Sequence, residues 1–62
     1  MRYREVAKVL KKNGYVHLRT VGSHCQYVKA GFPTVTVPNH PGDVKPGILK
    51  SIEKATGLLL SK

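Results

Sequence analysis

Three imidazoles and a large excess of cations are what this chain offers for chemistry. His17, His24 and His40 are the side chains that ordinarily exchange protons near neutral pH. Eleven Lys and Arg stand against three acids, Glu5, Asp43 and Glu53, for a formal charge of +8. That balance favours a polyanionic partner, either nucleic acid or an acidic protein surface. Imidazoles set among lysines suit acid–base cleavage of a phosphodiester, with the RNA 2′-hydroxyl as nucleophile.

His24 has the strongest claim. It follows Gly22-Ser23, where a glycine lets backbone approach a substrate and neighbouring N–H groups can receive a phosphate oxygen. Ser23 and Arg19 are its candidate auxiliaries. His40, in a Pro-flanked loop, reads as a second acid–base group, as a substrate contact, or as a loop residue whose ring caps a backbone group. His17 has a weaker claim. Lys8, Lys11, Lys12, Lys45 and Lys50, with Lys54, supply long-range attraction for phosphates; the same lysines would also fit a plain solvated surface. The three histidines lack Asp or Glu partners at ligand spacing, so no metal and no cofactor is expected. Cys25 is the lone cysteine, which rules out an internal disulfide, and its strand position points it inward, away from thiol chemistry. Tyr3, Tyr15 and Phe32 look too scattered to form a base-stacking array.

The elements that must position these groups follow from periodicity. Tyr3, Val6, Ala7 and Leu10 recur on one helical face, and Asn13-Gly14 supplies a stop with glycine at the left-handed position. From Tyr15 the period becomes two. Val16 and Leu18 read as the inward residues of a first strand, Cys25 and Tyr27 of a second, and Val35 and Val37 of a third closed by Pro38. Asn39-His40-Pro41-Gly42-Asp43 has turn chemistry. A second helix starts near Pro46, turns Ile48, Leu49, Ile52 and Ala55 inward, and stops at Gly57. Lys45 is a poor N-cap. The order is helix, antiparallel three-stranded meander, helix: an α+β fold, α-β-β-β-α, with both helices on one sheet face.

Parity predicts the register. Leu18 across from Cys25 and Val16 across from Tyr27 keep the first hairpin's apolar residues together, setting Arg19 opposite His24 and His17 opposite Gln26. Tyr27 opposite Val35 and Cys25 opposite Val37 do the same for the second. The open face then carries His17, Arg19, His24, Gln26, Thr34 and Thr36. Polar residues on a solvated sheet face need no further explanation, so register locates His24 without making it catalytic.

Length bounds the rest. Sixty-two residues allow one small domain, 1–62, which buries roughly 60% of its unfolded surface. The longest apolar run, Leu58-Leu59-Leu60, is far short of a membrane span, and the charged start has no secretory h-region, so the expectation is a cytoplasmic protein with no membrane partner.

These pieces together resemble the HicA (YcfA-like) family of bacterial toxins. The resemblance is carried by Lys12-Asn13-Gly14-Tyr15, by Gly22-Ser23-His24-Cys25-Gln26-Tyr27, by Val37-Pro38-Asn39-His40-Pro41-Gly42, by Lys45-Pro46-Gly47-Ile48-Leu49 and by Ala55-Thr56-Gly57-Leu58, in that order over nearly the whole chain. It implies a double-stranded-RNA-binding-like fold and a ribosome-independent mRNA endoribonuclease whose essential histidine falls on His24. It also implies a HicB-type antitoxin that neutralises the toxin, with the chain a monomer or assembled with that antitoxin, and with operon repression through the antitoxin's DNA-binding part. Many relatives continue past the final Gly-Leu in an acidic tail, whereas this chain ends at Leu60-Ser61-Lys62. The alternatives are a non-catalytic double-stranded RNA-binding module and a protein-interaction domain that docks an acidic partner.

Overall fold

The computed structural model describes residues 1–60. Its elements run α1 (Tyr3–Lys12), β1 (Val16–Val21), β2 (His24–Val28), β3 (Val35–Pro38) and α2 (Pro46–Thr56), and the strands form one antiparallel sheet in the order β1-β2-β3. This is the α-β-β-β-α order expected from periodicity, and it is consistent with the double-stranded-RNA-binding-like α+β fold that the family resemblance implies. Val6, Ala7 and Leu10 of α1 and Ile52 of α2 close on Cys25, Tyr27, Val35 and Val37 from one side of the sheet. Burying each such aliphatic contributes roughly 1.5–3 kcal/mol, which is how so short a chain holds its sheet.

The second hairpin has the expected register, with Tyr27 opposite Val35, Cys25 opposite Val37, Gln26 opposite Thr36 and His24 opposite Pro38. The first does not. Val16 pairs with Val28, His17 with Tyr27, Arg19 with Gln26, Thr20 with Cys25 and Val21 with His24, with a bulge between His17 and Arg19. Val16, Leu18 and Val21 are therefore 64%, 55% and 60% exposed, and Tyr15, expected outside, is only 3% exposed.

The inversion starts at the end of α1. Gly14 takes φ 90°, its N–H donates to the Lys11 carbonyl, and the Tyr15 N–H donates to the Leu10 carbonyl. That is a Schellman closure, whose next residue packs back on the helix. Tyr15 is that residue, so it goes inward and Val16 must go outward. The bulge then shifts parity once more at Leu18. His17, two residues after the inward Tyr15 and before the bulge, leaves the open face and stacks on Tyr27, ring centroids 5.1 Å apart.

Other long-range ties were not legible in the pattern. The backbones of Arg2 and Asp43 form an isolated antiparallel β-bridge, the Val44 N–H donates to the Met1 carbonyl at 2.7 Å, and the N-terminal ammonium lies 3.5 Å from the Asp43 carboxylate. Tyr3 and Tyr27 share a hydroxyl–hydroxyl bond of 2.7 Å. Burial, then hydrogen bonding to Cys25 and to Tyr27, pushes the Tyr3 hydroxyl well above the usual tyrosine range. Tyr15 and Phe32, expected apart, meet edge to face at 6.2 Å, with Lys29 Nζ 4.7 Å from the Phe32 ring centre and 5.6 Å from that of Tyr15. This pairing covers the end of α1 and leaves Tyr15 buried, so it is no open stacking array.

At the far end, α2 begins with Pro46 at N1 after Lys45, which gives no side-chain cap. It stops at Gly57 with φ 76°. Leu58 and Leu60 pack on the core, and the Leu60 N–H donates to Glu53 at 2.7 Å. Ser61 and Lys62 lie outside the described residues.

Candidate active site

His24 is the first residue of β2, directly after the two-residue turn Gly22-Ser23. Gly22 has φ 61°, the positive value a tight hairpin turn of this kind demands at its first central position. The turn therefore fixes where β2 starts, and strand parity puts His24 on the open face while Cys25 enters the core. The His24 ring is exposed, and Val21 and Pro38 are its cross-strand neighbours. Arg19, expected opposite His24, lies two pairs further along, opposite Gln26, its Nε donating to Gln26 Oε1 at 3.1 Å.

The loop after β3 comes back to the same corner. The Asn39 N–H donates to the Ser23 carbonyl at 2.6 Å, continuing the β2–β3 pairing into the turn. Ser23 Oγ lies 3.3 Å from His40 Nε2. Ser23 thus holds the His40 loop by main chain and by side chain, and the imidazole of His40 is oriented by a hydroxyl rather than by a backbone group.

Two clefts meet at His24. One, of about 390 Å³, brings together His24, His40, Asp43, Lys45, Pro38 and Ile48, with the Asp43 carboxylate 3.5 Å from the N-terminal ammonium. The other, of about 460 Å³, runs between β3 and α2, with Thr34 and Thr36 facing Gly47, Ser51 and Ala55. A wet cleft holding two imidazoles and an ammonium can take a phosphodiester, transfer protons on both sides of it and offset its charge.

The remaining expected contacts divide. Lys45 is at the site. Lys8 and Lys11 line a separate groove along α1 with Arg4 and Tyr27. Lys12 and Lys50 are exposed and border none of these clefts. Cys25 is free and buried. Among the described residues, no three His, Cys, Asp or Glu side chains gather as a metal cluster, and no helix is long and apolar enough to cross a membrane. Arg2 and Arg4, which were not among the expected contacts, line a groove that also includes His40. Two arginines at alternate positions at a helix start, in a chain with few acids, were the available signal.

The chain is thus a small α-β-β-β-α domain with a histidine-bearing cleft at the start of its central strand. The family model described as the HicA toxin of bacterial toxin–antitoxin matches residues 3–58, and the chain belongs to this family. It is thereby a toxin of the toxin–antitoxin kind, and the family implies an antitoxin partner. Comparison with curated proteins and with solved structures gives no match.

Proposed function

We propose that this toxin is an endoribonuclease that cleaves single-stranded mRNA without a metal, in the cytoplasm, and is held inactive by a HicB-type antitoxin. The observation that carries the reading is the shared cleft of His24, His40 and Lys45. HicA toxins are generally of the ribonuclease type, and the excess of cations suits an RNA chain.

In this mechanism Lys45 offsets charge on the scissile phosphate. His24 takes the proton of the 2′-hydroxyl as its oxygen attacks phosphorus. The 5′-oxygen of the next nucleotide leaves and receives a proton from His40, whose ring Ser23 orients. The bond formed is O2′–P, the bond broken is P–O5′, and the product ends in a 2′,3′-cyclic phosphate that water opens to a 3′-phosphate. A positioned acid or base contributes about 10²–10⁴-fold each.

The test is a matched pair of single-stranded RNA oligonucleotides, one unmodified and one 2′-O-methylated, incubated with purified protein in EDTA. Cleavage of the first alone, with cyclic-phosphate ends, is the result expected. Cleavage of the methylated strand, or activity that disappears in EDTA, would overturn the mechanism. Tight binding of duplex RNA without any cleavage would favour the non-catalytic module instead.

A further inference from the structure

His40 forms part of a second, larger groove that His24 does not line. Its volume is about 660 Å³, within the range of roughly 300–1,000 Å³ typical of small-ligand sites. Arg2 and Arg4 line it from the start of α1, and Asn39, His40, Pro41 and Gly42 line it from the loop after β3. Glu5 also borders it, with its carboxylate accepting the Arg2 backbone N–H at 2.8 Å.

The second residue of a chain would ordinarily fray. Here the Arg2–Asp43 bridge and the bond from the Val44 N–H to the Met1 carbonyl tie the terminus to the loop that carries His40. The groove's two walls are therefore fixed to each other. Arg2 is held beside the site as a part of it, and the same imidazole borders both this groove and the His24 cleft.

We infer that this groove is the subsite for a nucleotide adjoining the scissile bond, with Arg2 and Arg4 gripping its phosphates. Guanidinium groups match phosphate oxygens through paired hydrogen bonds. Pro41 gives the base an apolar surface, and the Asn39 amide carries a donor and an acceptor for a base edge. Gly42, with φ 88° and open space where a Cβ would stand, leaves the loop backbone accessible. A strand seated over His24 and His40 then continues into the groove without a gap.

This inference rests on the ribonuclease reading, and the experiment separates the two. His24→Ala protein, which retains both grooves, is titrated with a fluorescent single-stranded RNA oligonucleotide at several salt concentrations. The same titration is run on His24→Ala carrying Arg2→Ala and Arg4→Ala, with melting curves for both. The paired arginine change is expected to weaken binding at least tenfold. It should also flatten the slope of log affinity against log salt by about 1.4, that is, ~0.7 for each phosphate contact on a single strand. Leu59→Ala, at an exposed position beyond α2 and outside every groove described, should leave both unchanged. Equal affinity and slope with and without the two arginines would overturn the subsite while leaving the ribonuclease reading intact. Failure of His24→Ala to bind RNA at all would overturn both.

Discussion

Replacing Tyr3 by Phe removes one hydroxyl and nothing else, from a place where the structure makes that hydroxyl matter. It lies 2.7 Å from the hydroxyl of Tyr27, whose side chain is almost wholly enclosed. The variant loses a net hydrogen bond of about 1 kcal/mol and strands the Tyr27 hydroxyl, so a total cost of about 1–2 kcal/mol is expected. For a domain this small that corresponds to a fall in melting temperature of roughly 4–8 °C per kcal/mol. The pH dependence has a definite sign. Burial first, then the contacts with Cys25 and Tyr27, raises the folded tyrosine above its unfolded value of 10.0. The folded state therefore keeps a proton that the unfolded state gives up, and the stabilisation is complete below pH 10 and lost as pH rises beyond it. Urea unfolding of parent and Tyr3→Phe at pH 7 and pH 11 measures this directly. Lysine titration is common to both proteins and cancels in the difference. A stability gap near zero at pH 7, or a gap that does not shrink at pH 11, would refute the reasoning.

Three further outcomes follow from the packing. Val16→Thr with Leu18→Thr should cost less than about 0.5 kcal/mol in urea unfolding, because both side chains are exposed; a loss of several kcal/mol would mean that the first strand faces the other way. Tyr15→Phe should be neutral or stabilising by up to about 1 kcal/mol, since the Tyr15 hydroxyl is buried with no hydrogen-bond partner; a clear drop in melting temperature would contradict that. Gly57→Ala should destabilise by about 1 kcal/mol, because φ 76° at the end of α2 suits glycine and strains a Cβ; an unchanged melting temperature would count against the left-handed cap.

The second hairpin was readable because its two strands alternate without interruption, so Cys25, Tyr27, Val35 and Val37 fall on one face. The first strand misled for a physical reason. Val16, Leu18 and Val21 have the residue types of a core strand, yet their direction is set upstream, where Gly14 closes α1 and turns Tyr15 inward. A single bulge at Leu18 then breaks the count, and no residue type marks it. His24 was located correctly because only β2 parity and the Gly22 turn were needed. Its neighbours were not: Arg19 moved two pairs away with the slipped register, and His17 moved to the face that carries Tyr27. The Ser23–His40 contact and the Arg2–Asp43 bridge join segments far apart in sequence through one or two bonds, too few to leave any periodic trace. Lys45 was found as a charge and turned out to be at the cleft; Lys12 and Lys50 were found the same way and turned out not to be.

The most direct measurement is cleavage of a single-stranded RNA by the purified toxin and by its His24→Ala form, with circular dichroism on both. Because the ring is exposed and no described side chain hydrogen-bonds it, the account predicts an unchanged spectrum and a cleavage rate lowered about 10²-fold or more. A well-folded His24→Ala protein that cuts RNA as fast as its parent would contradict it.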